Sequence, residues 1–373
     1  MKLALMAALA APLYATNFFT TPNPAFGTVP PPCPRPGGTL SVPRWCYMVT
    51  GWDGQTYFGV IAGRSPAVGG TTTINVPIIP IILTAGGRVF DPTQPDPVCL
   101  PPGQSAVSMT LASPIFQPVP TTYNGTFVGN VQFLDGFNRA QFWNWQGVGG
   151  SHPSYHLILN PIVKPPLVLV GDSTNSDARP ANNTQCGTIG TQYLGLIDLQ
   201  TIDSAMQAYL AADPTINASM FPMFMLYNSA ITIGNPAQGG NCCVLGYHGA
   251  LNSPGQTYGV SSYEGRQLTL FGGISDISIL THEFAEFLDD PFGGNATPYW
   301  GGIGQLAGCS PQLEVADPLT GRLNPPITVN GYNYHTQEIA YFDWFFGTSV
   351  SLGYSTNGTF TGHSKACPPG GSQ

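Results

Sequence analysis

His282, Glu283 and Glu286 are the residues of this chain whose types and spacing could do chemistry. They lie in the stretch Ser275 to Pro291, SDISILTHEFAEFLDDP, which reads as one helix. Ser275 or Asp276 can cap its start by accepting hydrogen bonds from backbone N–H groups that lack partners inside a helix. Pro291 stops it, having no N–H to give and a ring that clashes with the preceding turn. Ile277, Leu280, Phe284 and Leu288 form an apolar stripe suited to burial. His282 and Glu286, four residues apart, project from one face about a turn apart. An imidazole and a carboxylate so placed can grip a divalent cation, and Glu283 beside them can take a proton from water that the cation activates. Glutamate is scarce here, occurring only at 264, 283, 286, 314 and 338. His-Glu-x-x-Glu arises by chance about 0.001 times in such a chain, so coincidence explains it poorly. A solvated acidic helix face with a histidine packed beside it is the other account of the same spacing.

A cation site needs more than two side chains. Glu314, in LEVADP, is the candidate third ligand, far enough along the chain for it to turn back. Asp317 is then either a carboxylate that orients His282 or a substitute ligand if Glu314 points away. Hydrolysis also needs a group to steady a developing oxyanion. His335, Tyr332, Tyr334 and His248 are candidates, though ordinary packing or a surface role suits each of them better. One histidine and two carboxylates formally neutralise a divalent ion, which weakens it as a Lewis acid. Oxygen-rich ligation also widens the choice from zinc toward manganese, iron or calcium.

These segments carry a resemblance. HEFAE followed by LEVADP resembles the zincin metallopeptidases, whose helix reads HExxH, with glutamate here in place of the second histidine. The chain is more similar still to the plant phosphate-induced (Exordium-like) secreted proteins and to bacterial secreted proteins of undefined function. Those share a C-x-x-H segment, an ISxxxHExAE helix and an E-[IV]-[AG]-D segment. The matching pieces are CVLGYH at 243–248, with altered spacing, ISILTHEFAE at 277–286 and EVAD at 314–317. The resemblance covers residues 165 to 367 and implies a secreted, zincin-like fold. Its implied activity is peptidase-like hydrolysis with zinc or another divalent metal, on a peptide or protein substrate.

Composition bounds the alternatives. Charged residues are 8% of the 373, the net charge is −8 and no basic cluster occurs. That argues against a nucleic-acid partner or an anionic membrane surface. Residues 1–15, MKLALMAALAAPLYA, look like a short secretory signal peptide, and no stretch is long and apolar enough to span a membrane. Eight scattered cysteines without CxxC pairs read as disulfides in an oxidising compartment, Cys242 and Cys243 bonding different partners. No nucleophile elbow, P-loop or dinucleotide fingerprint is present. A second class of function also fits: a non-catalytic extracellular protein binding cell-wall glycan on a degenerate scaffold. Trp143 and Trp145 could serve as its stacking platform, though core or hairpin packing suits them better.

The elements that must hold the candidate residues follow from patterning. After a Pro-rich arm at 16–43, residues 44–164 read as a β-rich, sandwich-like domain. TTINVPIIPIILTAGGRVFDP is its clearest hairpin and SAVSMTLASPIF continues the strands. GFNRAQFWNWQ suits a short helix or an aromatic strand. Residues 165–373 read as an α/β zincin-like domain, making the class α+β. In it PPLVLVGD and FPMFMLYNSAITI are buried strands, and LIDLQTIDSAMQAYLAADP is a helix ended by Pro214. TYGVSSYEGRQLTLFGG is an edge strand able to take a peptide as an added strand. A loop PFGGNATPYWGGIGQLAGC, a hairpin LNPPITVNGYNYH and a last helix TQEIAYFDWFF complete it.

Overall fold

The structure is a computed structural model that describes residues 40–145, 154–180, 193–251, 255–265 and 273–367. Residues 1–39, on which the expected signal peptide and most of the Pro-rich arm fall, lie outside the described residues. The fold is mixed, mostly strand with a few helices.

β1 (Arg44–Thr50) and β2 (Thr56–Ala62) form an antiparallel pair. β3 (Gly70–Ala85) is the longest strand. Its even positions Ile74, Val76 and Ile78 enter one hydrophobic core, and its odd positions Ile79, Ile81 and Leu83 enter another. Burial on both faces marks it as an interior strand. The expected hairpin is present: β4 (Arg88–Phe90) returns along β3 after Gly86 and Gly87, whose φ values of 53° and 73° suit glycine. SAVSMTLASPIF is not strand but helix α1 (Ala106–Ala112). The cause is a reciprocal cap, in which the Ser108 N–H donates to the Ser105 hydroxyl and the Ser105 N–H to the Ser108 hydroxyl, at 3.2 and 2.9 Å.

β5 (Val119–Tyr123) and β6 (Thr126–Val131) pair as a separate hairpin, and α2 (Phe133–Gln141) settles its segment as helix. Trp143 and Trp145 follow it, half-buried against core aromatics. β7 (Tyr155–Val163) and β8 (Leu167–Val170) run successively along one side of β3. β8 is not the buried strand expected, since Val168 and Val170 face solvent. β9 (Ser176–Pro180) and β10 (Tyr193–Asp198) precede α3 (Leu199–Ala212), which Asp198 caps. FPMFMLYNSAITI makes two strands, β11 (Met223–Tyr227) and β12 (Ser229–Ile233), because Asn228 takes φ 47° and turns the chain into a second sheet.

β13 (Asn241–Val244), β14 (Gly246–Ala250) and β15 (Thr257–Tyr263) lead to the candidate helix α4 (Ser278–Asp289). The expected loop after it is instead a hairpin, β16 (Ala296–Ile303) and β17 (Leu306–Gln312), bent by irregular pairing. β18 (Ile327–Val329) and β19 (Tyr332–Tyr334) form the next hairpin as expected. The last helix is only α5 (Phe342–Phe346), because Leu323–Gln337 and Ala340–Ser355 bridges hold the preceding residues extended. Cys309 is bonded to Cys367, and Cys242 to Cys243 rather than to different partners. Adjacent strand residues normally point to opposite faces, but pairing beside this strand shifts register between Ile231 and Thr232.

A seven-stranded sheet organises the molecule, in the order β14-β15-β11-β3-β4 with β7 and β8 also on β3. β3 and β11 are hydrogen-bonded in parallel, Met223 to Met225 opposite Ile78 to Pro80. The division expected between residues 164 and 165 therefore falls inside one sheet. Residues 44–164 do not close a sandwich among the described residues, because their longest strand needs β11 as a neighbour. A four-stranded sheet, β13-β12-β10-β9, lies with α3 over the second core. α4 packs against β14, β15 and β2. β15 has partners on both sides, so the edge strand beside α4 is β14, not β15.

Candidate metal centre

Every residue of α4 is buried, which removes the solvated acidic face: His282, Glu283 and Glu286 are 7%, 3% and 4% exposed. The apolar stripe is as expected, with Ile277, Leu280, Phe284 and Leu288 at 0%. The start of the helix is built differently. The Ser278 hydroxyl accepts from the Ser275 N–H, while Asp276 turns away to accept from the Ile277 and His335 N–H groups. Pro291 does follow the end, where the Asp290 N–H closes the last turn on Glu286 O.

β14 faces this helix. Side chains on a strand alternate sides, so the Tyr247 hydroxyl reaches Asp203 of α3 at 3.0 Å while His248 points toward α4. Gly246 leaves room for Glu283, whose Oε1 would lie 2.6 Å from any Cβ at that position. After β17 the chain turns back under the helix and brings Glu314 and Asp317. There the Ala316 N–H donates to Glu286 Oε1 at 3.3 Å, fixing that carboxylate with Oε2 toward the histidines.

The hydrogen bonds around His282 set its tautomer. Gln337 gives its Nε2–H to the Ala316 carbonyl at 2.7 Å, so it presents Oε1, an acceptor, to His282 Nδ1 at 3.1 Å. Nδ1 must carry a proton, so Nε2 is the nitrogen that takes either a second proton or a cation. It faces Glu286 Oε2 at 3.2 Å and Asp317 Oδ1 at 3.4 Å. Three electron-rich atoms converging in a buried place is the arrangement of ligands around a cation, with the ring's other nitrogen anchored as metal-bound imidazoles usually are. Asp317 Oδ1 is itself held by the Gln305 amide.

A second convergence lies alongside. His248 Nδ1 is 3.7 Å from both Glu283 Oε2 and Glu286 Oε2. In each of the two groups, His282–Glu286–Asp317 and His248–Glu283–Glu286, the ligand atoms all lie within 4.8 Å of one another.

Electrostatics follow from burying so many acids together. Burial lowers the His282 pKa, but Glu286 and Asp317 outweigh it and hold it well above the ordinary range; His248 is raised similarly by Glu283 and Glu286. Burial raises Glu286, yet the two imidazoles bring it below its usual value. Burial and then Glu286 push Asp317 up to about 7, and burial pushes Asp290 up to about 6. Glu283 is raised chiefly by burial. A proton and a cation compete for the same lone pairs in such a cluster.

Of the residues singled out from sequence, His282, Glu283, Glu286, Asp317 and His248 come together. Glu314 belongs to neither group of converging atoms. It is buried, its Oε1 accepts no hydrogen bond among the described residues, and burial followed by Glu286, Asp317, Asp290 and Glu283 holds its carboxyl well above the usual range. His335 pairs with Asp276 at 2.6 Å at the start of the helix, away from both groups. The Tyr334 hydroxyl donates to the Met109 carbonyl in the core, and the Tyr332 ring packs on Tyr334. Gln337, Gln305 and the Asp290 carbonyl escaped sequence reading, because a single amide or backbone group carries no spacing signal.

Comparison of the chain with protein-family models, with curated proteins and with solved structures gives no match.

Proposed function

We propose that the chain is an exported, peptidase-like hydrolase with a zincin-like centre, in which His282, Glu286 and Asp317 hold a divalent metal ion. One observation carries this reading: His282 Nε2 lies 3.2 and 3.4 Å from two buried carboxylate oxygens, with Nδ1 committed to Gln337. The residues fit an ion chemically, since an imidazole with two carboxylates suits zinc, manganese or iron. Such an ion acidifies water and polarises a carbonyl. Asp317 takes the ligand place first expected of Glu314, and Glu283, one residue from His282, is the carboxylate suited to receive the proton of the attacking water. Gln337 and the Ala316 N–H hold two ligands in orientation before any ion binds. An extended peptide substrate would add to β14, the sheet edge beside α4. Disulfides and the lack, among the described residues, of any helix long and apolar enough to cross a membrane agree with export.

The test measures metal content and cleavage of a peptide library by the wild type and Glu283→Gln. Loss of turnover of about 10²- to 10⁴-fold is the expectation for removing a proton acceptor. Equal turnover in both proteins, or wild type without a stoichiometric ion, ends the hydrolase reading.

A further inference from the structure

We infer that this centre takes a second divalent cation, held by His248, Glu283 and Glu286, with the Glu286 carboxylate shared between the two ions. The inference rests on the first group being a metal site, and it deepens that reading.

His248 Nε2 lies 3.1 Å from the Asp290 carbonyl oxygen. A carbonyl only accepts, so Nε2 carries a proton and Nδ1 is the nitrogen free to bind a cation. It faces two carboxylate oxygens, Glu283 Oε2 and Glu286 Oε2, both at 3.7 Å. The separation is too long for a hydrogen bond. It is close to the spacing of neighbouring ligands on one tetrahedral ion, about 3.4 Å for bonds of about 2.1 Å. Glu283 Oε2 accepts no hydrogen bond among the described residues although Glu283 is only 3% exposed. A buried carboxylate oxygen left without a partner is costly, and a cation at this point satisfies it.

The design repeats that of His282. In both, one ring nitrogen donates to a fixed oxygen and the other meets two carboxylate oxygens, and Glu286 Oε2 belongs to both sets. Formal charge points the same way. Glu283, Glu286, Asp290, Glu314 and Asp317 are all buried, and each of them that ionises beside neutral imidazoles needs positive charge close by. With the second ion present Glu283 holds that ion through Oε2, and the loss of turnover expected of Glu283→Gln would then come with the loss of one ion from the dialysis count.

The experiment is equilibrium dialysis of the full chain against Mn²⁺ or Zn²⁺, with electron paramagnetic resonance of the Mn²⁺ form. Two ions per chain and an exchange-coupled Mn²⁺ spectrum are expected. His248→Gln keeps an amide N–H able to reach the Asp290 carbonyl but lacks the imidazole lone pair. It should retain one ion, with the spectrum of isolated Mn²⁺. One uncoupled ion in the wild type overturns the second position and leaves the first intact, while no ion overturns both. Two coupled ions surviving in His248→Gln overturn the assignment to His248. Should that variant fail to fold, the wild-type count and coupling still decide.

Discussion

At the scale of single residues, what sits behind His282 fixes the ring that the proposed centre uses as a ligand. Gln337 accepts from Nδ1 at 3.1 Å and is locked by donating to Ala316, so the ring cannot rotate Nε2 away. Gln337→Leu should weaken metal binding about 10- to 100-fold, the usual effect of removing such a support. Unchanged affinity in a metal titration would place the orienting force elsewhere. A different buried acid contributes to the pH dependence of stability. Asp289, fully buried, accepts from Gln141 Nε2 at 2.7 Å on one oxygen, and burial pushes its pKa up to about 8. Unfolded, it ionises near the ordinary 3.8. Between those values the native state binds the extra proton, so stability falls as pH rises from about 4 and levels off above about 8. Asp289→Asn keeps an acceptor for Gln141 and removes this slope, at most about 1.4 kcal/mol per pH unit. Urea melts at about pH 5 and about pH 8 should show the variant gaining on the wild type at the higher pH. A constant difference would mean that Asp289 ionises normally.

At the scale of elements, the centre depends on how closely β14 and α4 approach. Gly246 permits it: an added Cβ would meet Glu283 Oε1 at 2.6 Å and the Val260 carbonyl at 2.9 Å. The first neighbour can swing aside, but the second is backbone of the paired strand and cannot. Gly246→Ala should cost about 1–3 kcal/mol as overpacking does, and displace Glu283 with a loss of turnover. Wild-type stability and turnover in that variant would show that the strand has more room than these distances allow. α4 itself illustrates how context outranks local pattern. Its amphipathic stripe predicted one buried face, yet all twelve residues are buried, because β14, β2 and the returning 313–319 segment cover the polar face as well.

For the whole molecule, β3 decides the organisation. It joins β7, β8 and β4 to β11 from the later half of the chain, and the larger hydrophobic core draws residues from Val42 to Val350. Neither half can then keep its core when the other opens. Denaturant unfolding should run as one transition, with tryptophan fluorescence and far-ultraviolet circular dichroism coinciding. Two separated transitions would restore independent domains. Sequence by itself determined what short-range chemistry controls: the α4 helix with its stop at Pro291, the β3–β4 hairpin at its Gly-Gly turn, and the triplet His282, Glu283 and Glu286. Rarity and spacing were enough to mark those three. Only the tertiary structure decided that Asp317 rather than Glu314 meets His282, and that His248 on β14 belongs with them. Those outcomes rest on chain reversals and on contacts between segments far apart in sequence. Their energies come from burial and from hydrogen bonds that no local pattern records.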